Sequence, residues 1–137
     1  MAHETDDELR IVVQRIARRI RTNRSAEVSD SQLSVLFHLE VHGPLTPGRL
    51  AELERITPPS MNRTVNGLEE AGLVARTPDP GDGRKVLVSL LTPGVELIHA
   101  TRELRSAWFS ERLASLDPAE RRQLDDVLPV LRKLAHE

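Results

Sequence analysis

Apolar residues recur at helical spacing through most of this chain and at strand spacing only near its middle. Leu9, Val12, Val13, Ile16 and Ile20 form the first helical stripe. Thr5 and Glu8 precede it with capping-box spacing, in which each side chain bonds the other residue's backbone N–H, so a helix is predicted to open there. The polar stretch 23–28 reads as a connector. A second helix is predicted to open at Ser29, with Gln32 completing a capping box, and to bury Leu33, Leu36, Phe37 and Leu39. Gly43-Pro44 stops it.

Two short helices come next, each opened by threonine and then proline. In Thr46-Pro47 and Thr57-Pro58 the threonine caps, and the proline takes the first helical position, where a missing N–H costs nothing. Leu50, Ala51 and Leu53 are the core side of the first; Met61, Val65 and Leu68 are that of the second, which ends at Gly72. Two capped helices this close describe a helix-turn-helix. The stretch 73–76 then reads as a strand, 78–83 as dense turn chemistry and 86–90 as a returning β-branched strand. A charged hairpin directly after a helix-turn-helix reads as a wing projecting into solvent.

Thr92-Pro93 repeats the cap and predicts a long helix carrying Val95, Ile98, Ala107, Trp108, Leu113 and Leu116. Asp117-Pro118 with Glu120 caps a last helix bearing Leu124, Val127, Leu128, Leu131 and Leu134, which Pro129 should kink or shorten. The expected fold is mainly α with a small β-hairpin wing: a winged helix-turn-helix whose terminal helices form a dimerisation region. The predicted parts are an N-terminal dimerisation helix over 1–28, a DNA-binding winged helix-turn-helix over 29–91 and C-terminal dimerisation helices over 92–137. Apolar stripes at both ends of so small a chain need burial against a second copy, hence an expected two-fold homodimer.

Composition narrows the setting. The chain has 137 residues, no cysteine and a net charge of −2. No apolar run approaches the roughly 20 residues that span a bilayer. The acidic start lacks the basic and apolar regions of a signal peptide, so no membrane partner and a cytoplasmic location are expected. The absence of cysteine excludes disulfides and thiolate metal sites. The net charge removes a globally basic footprint for nucleic acid, but from residue 10 to 24 the charges are Arg10, Arg15, Arg18, Arg19, Arg21 and Arg24, with no acid among them.

The candidate chemistry lies on the helix 57–71. Projected at about 100° per residue, Met61, Val65 and Leu68 fall on one side, and Pro59, Asn62, Arg63, Asn66 and Glu70 on the other. Asparagine can bond adenine N6 and N7 together, and arginine guanine O6 and N7. Ser60, in the N-terminal turn, can meet a phosphate, and Thr46 at the preceding helix start joins the expected DNA contacts. The plainer alternative is a solvated helix face, but asparagine is a poor helix former and surface helices favour Glu and Lys. At the wing tip, Asp82 and Arg84 lie two apart, so on an extended chain both side chains point the same way. Asp82 then orients Arg84 for a narrow minor groove, with Lys85 as the neighbouring phosphate contact. The plainer reading is an exposed ion pair worth about 0–1 kcal/mol.

The segment 56–74, Ile-Thr-Pro-Pro-Ser-Met-Asn-Arg-Thr-Val-Asn-Gly-Leu-Glu-Glu-Ala-Gly-Leu-Val, resembles the recognition-helix region of MarR-type regulators. Pro80-Gly81-Asp82-Gly83-Arg84-Lys85 resembles their wing with its Asp-x-Arg signature, and Leu91-Thr92-Pro93-Gly94 is similar to the start of their long helix. The resemblance implies a homodimer made by the terminal helices, a palindromic double-stranded operator, and repression relieved by a small ligand. It implies that Arg84 is the wing arginine and Asp82 its partner, and it directs the search for an effector site to His38, His99 and Arg102.

Two other readings stand beside this one. His38 and His42, four apart on one helix, could face one ion in a zinc-responsive regulator; with no cysteine and no clear further ligand, two surface histidines are the simpler account and no metal or cofactor is expected. A winged helix can also serve as a protein-binding adaptor, which predicts no operator binding. Catalysis has no support: no nucleophile with base and orienter stands at recognisable spacing, no glycine-rich phosphate loop is present, and Glu69-Glu70 and Asp125-Asp126 read as solvated helix faces.

Overall fold

The side chains most completely withdrawn from solvent come from the middle of the chain. Val35, Leu36, Leu50, Met61, Val65, Leu68, Val88 and Ile98 are all 0% exposed in the computed structural model, which describes Ala2–His136. Met1 and Glu137, the outermost residues of the expected terminal segments, lie outside the described residues. The elements run α1 (Ala2–Arg21), α2 (Asp30–His42), α3 (Pro47–Glu54), α4 (Pro58–Glu70), β1 (Val74–Pro78), β2 (Val86–Leu90), α5 (Thr92–Ala114) and α6 (Pro118–His136). The core is built where α2, α3, α4, the hairpin and the start of α5 meet.

Caps set most boundaries. Ser29 Oγ accepts from Gln32 N at 3.1 Å while Gln32 Oε1 accepts from Ser29 N at 3.0 Å, the expected capping box of α2. Thr46 and Thr57 cap α3 and α4, with Pro47 and Pro58 inside the first turns. Between α3 and α4 the chain reverses through Arg55, whose φ of 56° lies in the left-handed region. Gly72 takes φ of 75° just beyond α4, a conformation in which a side chain would be strained, and so turns the chain into the hairpin. At α6, Asp117 Oδ1 accepts from Glu120 N at 2.8 Å and Glu120 Oε1 from Asp117 N at 3.0 Å.

Several boundaries differ from the sequence expectation. α1 begins at Ala2, so Thr5 and Glu8 lie inside it and form no capping box. Ala and Glu are strong helix formers, and Glu4 places a carboxylate in the first turn, where the helix dipole favours it. The cap of α5 is Leu91, not Thr92, because the Leu91 N–H donates to Leu73 O at 3.0 Å and keeps Leu91 extended. α6 continues through Pro129 to His136, so the proline, expected to kink or shorten the helix, does not shorten it. The proline removes the N–H that would bond the Asp125 carbonyl, but α6 has no buried residue, so water can satisfy that acceptor.

β1 and β2 pair antiparallel, with Val74 opposite Leu90 and Pro78 opposite Val86. The first strand starts one residue later than expected and continues to Pro78. A bridge unseen in the sequence adds Leu45 to this sheet: Val88 N donates to Leu45 O at 2.7 Å and Leu45 N to Val88 O at 3.2 Å. It ties the hairpin to the segment that leads into α3.

Candidate nucleic-acid interface

α4 presents the polar face that its sequence predicts. Met61, Val65 and Leu68 are fully buried, which fixes the rotation of the helix about its axis. Pro59, Asn62, Arg63, Asn66 and Glu70 are exposed as a consequence. Among the described residues neither Asn62 nor Asn66 spends its amide on an intramolecular hydrogen bond, so both keep donors and acceptors free.

The first turn of α4 is organised around Ser60. Thr57 Oγ1 accepts from Ser60 N at 3.3 Å and donates to Ser60 Oγ at 3.1 Å. Arg63 Nη2 donates to the same Ser60 Oγ at 3.2 Å. The guanidinium is thus drawn toward the positive end of the helix, where unpaired N–H groups also gather. Two kinds of anion donor then share one surface. Thr46, half-buried, spends its Oγ1 on Arg49 N at 3.1 Å at the start of α3.

The wing reaches its expected pairing by a different geometry. Asp82 and Arg84 do not lie on an extended strand. Lys85 N donates to Asp82 O at 3.0 Å, closing a tight turn, and Asp82 Oδ1 accepts from Arg84 N at 3.1 Å. The aspartate thus folds the turn with its own side chain, as Asp and Asn do readily. Its Oδ1 also stands 3.5 Å from Arg84 Nε. The Asp82 side chain is 37% exposed and that of Arg84 94% exposed, so the guanidinium projects beyond the acid that orients it. Asp79 supports the base of the loop: its Oδ1 accepts from Gly81 N at 2.8 Å and its N–H donates to Lys85 O at 2.9 Å.

Glu69 links these two parts, a role absent from the reading of Glu69-Glu70 as a solvated face. Its carboxylate accepts from both Arg76 N and Arg76 Nη1, each at 3.2 Å, and so couples α4 to β1. The seven-residue separation across a helix end and a turn carries no pattern that sequence periodicity detects.

The residues considered for an effector site are not gathered into one group. His38 Nε2 lies 2.7 Å from Glu54 Oε1 on α3, and Ser34 donates to the same oxygen. Arg102 Nη1 donates to Glu40 Oε2 at 2.7 Å and its Nη2 bonds the other oxygen. Glu40 stands about 200° around α2 from His38, so the two contacts face different neighbours. His99 lies exposed on α5. The rings of His38 and His42 stack at 6.1 Å, and among the described residues no three His, Asp or Glu side chains gather as metal ligands.

Away from the core, Leu9, Val12, Val13 and Ile16 on α1 and Leu124, Val127, Leu128 and Leu131 on α6 remain exposed. Among the described residues no helix is long and apolar enough to cross a membrane.

Comparison with known proteins agrees with this geometry. The model of the MarR family matches residues 27–85, from the end of the connector to the wing tip. The HTH-type transcriptional regulator Mb0904 of Mycobacterium bovis is 48% identical over 115 residues, covering 83% of this chain and 80% of its own. Among solved structures, a protein of Pseudomonas aeruginosa PA01 assigned as a transcriptional regulator superposes with a TM-score of 0.82 at 30% identity, over 99% of this chain and 96% of that one. A MepR mutant of Staphylococcus aureus, bound to an oligodeoxyribonucleotide, shares the fold with a TM-score of 0.75 at 19% identity, over 96% of this chain and 98% of that one.

Proposed function

The chain belongs to the MarR family of HTH-type transcriptional regulators, and we propose that it works as a homodimeric cytoplasmic repressor of a palindromic operator, released by a small ligand. The observation that carries the operator contacts is the division of α4 into a fully buried apolar side and an exposed side bearing Asn62, Arg63 and Asn66. In this reading α4 enters a major groove, which is about 12 Å wide and admits a helix. Asn62, Arg63 and Asn66 meet base edges; Pro59 packs at the groove wall; Ser60 and Thr46 meet phosphates. Arg84, oriented by Asp82, enters the adjacent minor groove, whose negative potential favours arginine, and Lys85 neutralises a phosphate. The oligodeoxyribonucleotide bound by the MepR mutant supports the use of this fold on DNA.

The apolar stripes on α1 and α6 support the homodimer. α6 has no buried residue in the single chain, yet Leu124, Val127, Leu128 and Leu131 lie along it at helical spacing. These four side chains are 36–44% exposed, so covering each gains about 1 kcal/mol, and a second copy offers the same stripe. The ligand reading rests on the family resemblance, since the contacts of His38 and Arg102 face different neighbours.

A mobility shift tests this proposal. The parent should retain a duplex chosen by selection, and affinity should fall steeply between about 50 and 200 mM salt as counterions are released. Arg84→Ala should weaken binding on all sequences. Absence of any shift, with the chain folded, would favour the protein-binding adaptor instead.

A further inference from the structure

α5 belongs to two parts of the molecule. Its first turns sit in the core, where Gly94, Ile98 and Thr101 are buried. No residue of α5 beyond Thr101 is buried, so the helix leaves the DNA-reading lobe at that point. Past Thr101 the contact between α5 and α2 is a polar joint. Arg102 meets both oxygens of Glu40 on α2 as a fork, a contact that fixes direction as well as distance. Both Arg102 and Arg105 lie over the ring of Phe37, at 5.5 and 5.7 Å from its centroid. Arg105 also donates to Asn23 O and Arg21 O, each at 3.2 Å, and so pins the end of α1.

We propose that Glu40 and Arg102, backed by Phe37 and Arg105, set the angle between the DNA-reading lobe and α5, and thereby the half-site separation that the homodimer reads. The proposal rests on the homodimer reading above. Its physical basis is leverage. α5 continues from Arg102 to Ala114, a length of about 20 Å at 1.5 Å per residue. A rotation of about 10° at the joint moves the far end of such an arm by about 3.5 Å, which is close to the roughly 3.4 Å rise of one base pair. A bidentate guanidinium–carboxylate pair resists such a rotation; a single hydrogen bond or a point charge does so far less. Glu40 and Arg102 are accordingly positioning residues that touch no DNA themselves.

The test uses duplexes carrying the parent's selected half-sites at their selected separation and at one base pair more or less, with a duplex holding one half-site. The proteins are the full-length parent, Glu40→Gln, Arg102→Lys and the double variant, each checked by thermal melting. The parent should prefer its separation at least about tenfold, equivalent to about 1.4 kcal/mol. Both single variants should bring the three separations within about threefold of one another while binding the single half-site as the parent does. The double variant should be no less selective than either single variant, because the pair acts as one unit. Folded variants that rank the separations as the parent does would overturn the joint and leave the homodimer reading intact. A parent that gains nothing from a second half-site would overturn both.

Discussion

A methyl group placed on Gly94 would stand 2.3 Å from the carbonyl oxygen of Leu73. That carbonyl also accepts from Leu91 N at 3.0 Å, so the backbone of the turn before β1 and the start of α5 are held against each other with no room between. The glycine of the Leu-Thr-Pro-Gly signature thus has a steric reason to be there. Because the obstacle is backbone, it cannot swing aside like a side chain. Gly94→Ala should destabilise the fold by about 1–3 kcal/mol in urea unfolding, the usual cost of overpacking. Gly83→Ala, where an added Cβ meets nothing within 4 Å, should leave the midpoint unchanged.

The two sides of α4 should separate stability from binding. Leu68→Ala removes a side chain that is 0% exposed and should cost about 2–5 kcal/mol of stability. Asn66→Ala removes an exposed amide from a helix surface and should leave stability equal or slightly raised, because alanine is the better helix former. Its effect should lie in operator discrimination, about 1–3 kcal/mol at one base pair. Paired thermal melts and mobility shifts check both halves. An Asn66→Ala variant that unfolds would contradict the exposed placement.

The contact between Glu69 and Arg76 gives a third expectation. Glu69→Ala removes the acceptor of two hydrogen bonds that join α4 to β1. The ion pair is partly exposed, so melting should change little. The wing should lose its alignment with α4, and affinity for a selected duplex should fall about two- to tenfold without a change in preferred bases, since the contact bears on the wing and not on base edges. Binding equal to the parent's would show that the wing keeps its alignment without this contact.

Legibility in the sequence divides along physical lines. Local rules carried the caps at Ser29, Thr46, Thr57 and Asp117, because the partners lie within three residues and their chemistry is recognisable. Periodicity carried the buried side of α4, because Met61, Val65 and Leu68 repeat along one face. Contacts between distant segments were not legible. Leu45 pairing with Val88, Glu40 with Arg102 and Glu54 with His38 join residues that no spacing connects. The wing is an intermediate case. The Asp-x-Arg pairing was expected from strand alternation, whereas Asp82 reaches Arg84 through a turn that its own side chain stabilises. Thr92 misled because a threonine before proline resembles a cap, while the hydrogen bond that holds Leu91 extended comes from Leu73, far from the local pattern.

Asp117 provides a pH expectation. Hydrogen bonding to the Glu120 backbone lowers its carboxyl below the ordinary aspartate value. A group whose folded pKa is depressed stabilises the fold above its unfolded pKa, about 3.9, and that contribution is lost as pH falls through the lower folded value. Asp117→Ala should therefore melt below the parent at neutral pH, and the gap should narrow as the pH drops below about 4. A gap that is constant from neutral to acid pH would mean that the charge of the cap contributes nothing.

The central claim is that two copies of the α4 face and the wing read one duplex together, and selection of bound duplexes from a random pool tests it most directly. The account predicts enrichment of an inverted repeat whose half-site centres lie about one helical turn apart, roughly 10 base pairs, or a multiple of it. An enriched site with no internal symmetry, or no enrichment by a folded protein at low salt, would contradict it.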